Sequence, residues 1–222
     1  MKSGKVKLSD KRISKAFGDI AYFTGDLALE HMGSLLDGVS VAKWKEFEFL
    51  LKTTKHFGGL VLFACEGDSA SGKSQVLSEQ EHYDRLVTGL FRPTDCVVEV
   101  VVGRLGTWNW VEFVYRHELV HLLQNATGTL ETENTNLVSD HLRYGGAMAK
   151  RCRSHPFEDS AQEAEAYAVM KETKHLRAWA LELKRKPELT ATWARPTRQQ
   201  AELLLKDSKP LTHCSTVDLE DK

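Results

Sequence analysis

Residues 96–125 constrain the fold of this chain more than any other stretch. Cys96–Val102 has valine at five of its seven positions, which is typical of a buried β-strand, and glycines follow it. Asn109 is suited to cap a helix that carries Glu112 at its third position and runs to about Asn125. A strand joined to a helix by a short turn needs a fold that contains both elements. The segment therefore predicts an α+β protein.

Other segments supply further helices and one more strand. Helical periodicity, capping residues and apolar runs predict helices over Asp26–Leu36, Ser40–His56 (with Ser40 as N-cap and Gly58-Gly59 at its end), Ser78–Leu90, Pro156–Lys186 and Arg198–Leu205, and a strand over Leu60–Cys65. No internal repeat divides the chain. We expect one domain over residues 17–206, between a polar arm at residues 1–16 and a polar tail at residues 207–222.

Composition and charge exclude several classes of protein. The 222 residues include 30 Lys and Arg against 31 Asp and Glu, which removes the basic surplus of a dedicated nucleic-acid-binding domain. No apolar run approaches the roughly 20 residues needed to span a bilayer, and the basic N-terminus is followed by no apolar signal region. The four cysteines are scattered, as is usual for reduced thiols. We expect a cytoplasmic protein with neither a nucleic-acid nor a membrane partner.

The predicted helix Asn109–Asn125 contains the sequence His-Glu-Leu-Val-His, in which His117 and His121 are four residues apart. This spacing places both imidazoles on one face of the helix, one turn apart, where they can bind a single metal ion. Neutral imidazole is a good ligand for Zn²⁺, and Glu118 between them is positioned to act as a general base toward a water molecule. The motif predicts a zinc site with Glu118 as its catalytic residue.

This strand, helix and His-Glu-x-x-His arrangement resembles the zincin metallopeptidases. The resemblance covers about residues 96–172 and implies a third protein ligand from elsewhere in the chain. Leu122–Leu130 contains no histidine, so the branch with a third histidine shortly after the motif does not fit. An acidic, alanine-rich helix follows instead, which resembles the gluzincin type, in which a glutamate on a downstream helix completes the site.

Several glutamates on that downstream helix are candidates for the third ligand. A helical projection places Glu158, Glu165 and Glu172 at the edge of the apolar face, and Glu163 on the opposite, solvent-facing side. Glu158 also lies in a Pro-x-Glu-x-x-Ala setting that resembles gluzincin motifs. We therefore expect Glu158 as the ligand, with Glu165 second. The remaining glutamate would orient a zinc-bound histidine.

The gluzincin resemblance also implies a Tyr or His that donates a hydrogen bond to the developing oxyanion. His141 and Tyr144 are the preferred candidates, with His155 and Tyr167 as alternatives.

Gly67–Ser74 matches a second motif, the phosphate-binding loop G-x-x-x-x-G-K-[ST]. Lys73 would reach the outer phosphates of a nucleotide and Ser74 its Mg²⁺. In such loops the helix begins at the Gly-Lys-Ser, whereas the helix signal here begins about one turn later, at Ser78. A flexible polar loop is the favoured interpretation.

These observations predict an α+β, zincin-like fold with a short mixed sheet and the zinc helix packed against a second long helix. The expected function is a zinc-dependent peptidase that acts on peptides or proteins, with Zn²⁺ as its cofactor. The Val-rich strand Cys96–Val102 would offer the sheet edge to which an extended substrate binds. Two alternatives stay open: a phosphate-loop nucleotide hydrolase or kinase that uses Gly67–Ser74, and a non-catalytic protein that retains a zincin scaffold.

Overall fold

The chain folds into an α+β structure in which helices pack on a five-stranded sheet. The structure, a computed structural model, describes residues 11–18, 20–65, 88–93, 96–128, 161–170 and 173–190, together with Lys7, Leu205 and residues 209–210. In these ranges the helices are α1 (Lys11–Gly18), α2 (Asp26–Leu36), α3 (Val41–His56), α4 (Trp108–Ala126), α5 (Ala161–Met170) and α6 (Thr173–Arg185). The strands are β1 (Ala21–Phe23), β2 (Leu60–Ala64), β3 (Gly89–Arg92), β4 (Val97–Val101) and β5 (Lys209–Pro210), and short 3-10 turns cover Val102–Arg104 and Pro187–Leu189.

The sheet is mixed, with strand order β3-β4-β2-β1-β5. Its three central strands are parallel, with β2 between β1 and β4 and Leu62 opposite Glu99. Both outer strands are antiparallel to their neighbours. The expectation that the Val-rich strand forms the edge is wrong, because β4 has strands on both sides and is buried along its whole length. The edge nearest α4 is β3, and Leu90, predicted to be helical, lies within it.

A capping residue explains where α3 begins, but not where α4 begins. The Ser40 hydroxyl accepts a hydrogen bond from the Lys43 backbone N–H at 3.3 Å, as expected for the N-cap of α3. Helix α4 begins at Trp108, with Thr107 at the N-cap position, so Asn109 is not the cap. Instead, the Asn109 side-chain oxygen accepts a hydrogen bond from the Lys43 ammonium at 2.8 Å. The contact ties the start of α4 to α3.

A cluster of aromatic rings forms the centre of the core and fixes α4 in place. Phe47 on α3 lies 4.7 Å from Trp108 and 5.0 Å from Tyr115, measured between ring centroids. On its other side, Phe17 of α1 packs against Phe63 of β2 at 5.6 Å. Such rings each remove 150–250 Å² from water, roughly, so this cluster is a large part of what holds the N-terminal half of α4 in place.

In the described ranges, secondary structure extends beyond both ends of the predicted domain. Helix α1 begins at Lys11, and its residue Ile13 is fully buried, so residues 11–16 belong to the domain and not to a polar arm. At the other end, β5 lies in the predicted polar tail and pairs with β1, with Pro210 opposite Tyr22.

The second long helix of the prediction corresponds to α5 and α6, which lie on either side of residues 171–172. Helix α5 packs along α4. None of the helices in the described ranges combines the length and apolar character that crossing a lipid bilayer requires.

Candidate metal centre

The two motif histidines lie one turn apart on α4, as their spacing predicts. Their Nε2 atoms are 3.0 Å apart, and their rings meet edge to face with centroids 4.7 Å apart. His121 is buried and His117 is partly buried. Both imidazoles therefore direct one nitrogen to the same point beside the helix.

A carboxylate from α5 completes this cluster, and it belongs to Glu163. Its Oε2 lies 3.1 Å from Nε2 of His117, and its Oε1 lies 3.1 Å from Nε2 of His121. Glu163 was expected to have only solvent as its partner, but its carboxylate contacts both histidines. A helical projection gives angles around the axis of α5 but not the side from which α4 approaches. Glu163 lies at the rim of the cluster with 39% of its side chain exposed, whereas the side chains of His117 and His121 are 13% and 7% exposed.

Glu163 and His121 shift each other's pKa values. Burial lowers the pKa of His121, but its hydrogen bond to Glu163 and the charge of that carboxylate outweigh burial and raise the pKa to about 9. Burial likewise raises the pKa of Glu163, but hydrogen bonds from His117 and His121 and their positive charge hold it well below the ordinary value. The Glu163 carboxylate thus stabilises positive charge on His121.

The geometry of the three ligand atoms fits a small divalent cation. With metal–ligand distances of about 2.0–2.1 Å, a tetrahedral Zn²⁺ places its ligand atoms about 3.3–3.4 Å from one another. The closest separations between the three groups here are 3.0, 3.1 and 3.1 Å, with a different oxygen of the Glu163 carboxylate nearest to each histidine. Two imidazole nitrogens and one carboxylate oxygen are also the donor set of many catalytic zinc sites, which leave a fourth position open.

A buried glutamine lies behind His121. The Gln124 side-chain oxygen is 2.8 Å from His121 Nδ1. Its amide nitrogen donates to the Gln162 carbonyl oxygen at 3.0 Å and to Glu165 Oε2 at 2.8 Å. Glu165, the second candidate for a metal ligand, is thus outside the cluster but reaches His121 through Gln124.

Glu118 lies on the side of α4 that faces β3. Its carboxylate accepts a hydrogen bond from the backbone N–H of Phe91, and burial raises its pKa, which the nearby histidines only partly counteract. Gly89 leaves the space that this side chain needs. A Cβ at Gly89 would collide with Val114 and come within 2.8 Å of Glu118 Oε1. A glycine in the edge strand therefore positions the acid.

Other predicted site residues lie outside the described part of the chain. They are Glu158, the expected third ligand, the oxyanion candidates His141 and Tyr144 with the alternative His155, and the phosphate-loop motif Gly67–Ser74. The side chain of Tyr167 is also outside it. Gln124 and Glu163 were not predicted as site residues from the sequence. Gln124 could have been found from its position, since it is a polar residue in an apolar stretch of helix, three positions after His121.

Comparisons of this chain with protein-family models, with curated proteins and with solved structures find no match.

Proposed function

We propose that this protein is a zinc-dependent metallopeptidase of the gluzincin type with a zincin-like fold. In this proposal His117, His121 and Glu163 hold Zn²⁺, and Glu118 is the general base. The observation that supports it most is the convergence of two imidazole nitrogens and a carboxylate from a different helix, with each pair separated by 3.0–3.1 Å.

Zn²⁺ in this cluster would polarise the carbonyl group of a substrate and lower the pKa of a water molecule at its open position to about 7. Glu118 then accepts a proton from the attacking water and later delivers it to the leaving amine. Its burial suits this role, because a raised pKa makes the carboxylate a stronger base near neutral pH. The Phe91 N–H holds the carboxylate in place as the proton moves.

The neighbouring sheet edge supports a peptide as the substrate. Phe91 donates its N–H to Glu118, so this N–H points away from β4 and toward the open side of β3. Within the described ranges, β3 pairs with β4 alone. An extended peptide could add to this edge through the outward-facing backbone groups other than the Phe91 N–H, which Glu118 occupies, and this would bring one of its carbonyl groups past Glu118 and the cluster. A cytoplasmic location belongs to the same proposal, since Cys65 and Cys96 are thiols.

The test compares two buried glutamates on α4. Glu118 and Glu112 are each 6% exposed, but Glu112 lies more than a turn before the motif, near Arg116. Zinc content by elemental analysis and cleavage of a proteome-derived peptide library by mass spectrometry are measured for the parent, Glu118→Gln and Glu112→Gln. We expect about one zinc per chain in all three proteins. Cleavage should fall by about 10²–10⁴-fold in Glu118→Gln alone, because the amide can accept from Phe91 but cannot take a proton.

Each alternative gives a different result. Equal cleavage by Glu118→Gln and the parent contradicts the general-base role. A parent protein that binds zinc but cuts no peptide is the non-catalytic scaffold. A parent without zinc that melts at a higher temperature when ATP and Mg²⁺ are added supports the nucleotide hydrolase or kinase.

A further inference from the structure

Gln124 links a ligand of the candidate metal centre to a buried acid on α5. We propose that Gln124 and Glu165 are positioning residues that hold His121 in the tautomer that binds a metal ion. This inference rests on the proposed function, because it concerns the same cluster. It gives a role to a buried carboxylate, Glu165, that is not itself a ligand.

The orientation of the Gln124 amide follows from its two contacts on α5. One end of the amide faces the backbone carbonyl oxygen of Gln162 at 3.0 Å and Glu165 Oε2 at 2.8 Å. A carbonyl oxygen can only accept a hydrogen bond, so the end of the amide that faces it must be the NH₂ group. The other end, the Gln124 side-chain oxygen, therefore faces His121 Nδ1 at 2.8 Å.

This orientation decides which ring nitrogen of His121 carries the proton. An amide oxygen has no hydrogen to donate, so the contact requires an N–H on Nδ1. In the neutral ring Nε2 is then unprotonated, and its lone pair points toward His117 and Glu163. This is the form in which an imidazole binds a metal ion, so the contact with Gln124 favours the tautomer that a metal ion needs.

Burial makes it hard for water to replace the two contacts that link Glu165 to Gln124 and Gln124 to His121, which are here called the relay. Gln124 is 0% exposed and Glu165 is 1% exposed. Water therefore has little access to take over either contact. A carboxylate that accepts from the amide NH₂ also polarises the amide and strengthens its oxygen as an acceptor for the imidazole N–H.

Helix α5 supplies both the proposed metal ligand, Glu163, and the acid of the relay, Glu165. The two residues are two positions apart. Residues at this spacing lie on different faces of a helix. The exposed fractions of the two side chains are consistent with this, because Glu163 is 39% exposed at the rim and Glu165 is 1% exposed in the core. One docking of α5 on α4 thus places both carboxylates.

The test uses Gln124→Met, which keeps the length of the side chain but removes both hydrogen-bonding groups. Asn125→Leu is the matched control, since Asn125 is the next buried amide on α4 and contacts Pro93 and Cys96 instead. Zinc affinity is measured by competition with a chromophoric chelator. The Nδ1–H of His121 is followed by NMR in zinc-loaded protein with ¹⁵N-labelled histidine, assigned with His121→Ala.

We expect Gln124→Met to bind zinc about 10–100-fold more weakly than the parent, with the His121 Nδ1–H resonance moved upfield because its hydrogen bond is lost. Asn125→Leu should keep both properties. At the other end of the relay, Glu165→Gln should retain most of the affinity because it still offers an acceptor, whereas Glu165→Leu should not.

The outcomes separate this inference from the proposed function. If the parent binds zinc and Gln124→Met binds it equally well, the relay is overturned and the metallopeptidase proposal stands. If Asn125→Leu weakens binding as much as Gln124→Met, the loss reflects packing and the relay is again overturned. If the parent itself binds no zinc, both proposals fail.

Discussion

The two halves of helix α4 differ in how many polar side chains they bury, since the N-terminal half buries only Glu112. The N-terminal half places Trp108 and Tyr115 in the aromatic cluster around Phe47. The C-terminal half buries four polar residues within eight positions: Glu118, His121, Gln124 and Asn125. A buried polar group without a partner costs roughly 1–3 kcal/mol, so a helix gains no stability from such a concentration unless other elements supply partners.

Those partners come from two directions. Strand β3 supplies the Phe91 N–H for Glu118, and α5 supplies Glu163, Glu165 and the Gln162 carbonyl for the histidine side. The N-terminal half of α4 thus holds the helix in the core by aromatic packing. The C-terminal half is costly to bury, and the proposed metal site would explain why so many polar residues are found there. The two halves should respond differently to substitution.

The largest effect is expected for Glu163→Gln, which removes the charged ligand from α5. Zinc affinity should fall more than 100-fold, beyond the roughly 10–100-fold loss caused by removing a partner of a ligand. Glu182→Gln on α6 is the control, because its side chain is 38% exposed against 39% for Glu163 and also forms an ion pair. Chelator competition measures both. If Glu163→Gln and the parent bound zinc with equal affinity, Glu163 would not be a ligand.

A smaller effect, on catalysis alone, is expected for Gly89→Ala. The new methyl group would push against Val114 and the Glu118 carboxylate. A displacement of about 1 Å at a catalytic group can lower a rate by about 100-fold, so peptide cleavage should fall by that order while zinc affinity stays unchanged. Gly106→Ala is the control, since nothing lies within 4 Å of a Cβ there. Unchanged cleavage in Gly89→Ala would argue that β3 does not position Glu118.

A change in the N-terminal half should affect stability and leave the cluster intact. Tyr115→Phe removes a buried hydrogen bond of 2.6 Å to the Thr54 hydroxyl. The free energy of unfolding should fall by about 0.5–1.5 kcal/mol, measured by urea denaturation, with zinc affinity equal to that of the parent. If Tyr115→Phe bound zinc more weakly than the parent, the two halves of α4 would be energetically coupled and would not have separate roles.

The smallest effect concerns Glu112 and depends on pH. Burial raises the pKa of Glu112 above 4.5, and the charge of Arg116 offsets this only in part. Because the folded chain then holds this proton more tightly than the unfolded chain, stability is lost as pH rises above about 4.5. Glu112→Gln should therefore have a higher free energy of unfolding than the parent at pH 7, but not at pH 4. Urea titrations at both values measure the difference, and a constant difference would contradict the assignment.

Elements that depend on local pattern agree closely with their prediction from sequence. Helix α2 has the predicted bounds, α3 begins after Ser40, and β2 and β4 lie within the predicted apolar runs. Strands β1, β3 and β5 were missed because they have two to four residues, too few for an alternating pattern to emerge. Short strands of this kind form through pairing with a neighbour.

The spacing of His117, Glu118 and His121 was enough to predict their arrangement, because an α-helix of fixed pitch always places residues four apart on one face. No such rule exists between helices. Glu163 meets the histidines, and Glu165 meets Gln124, only because α5 docks on α4 in one rotation about its own axis. That rotation is set by the packing of the two helices, which a helical projection of α5 alone does not contain.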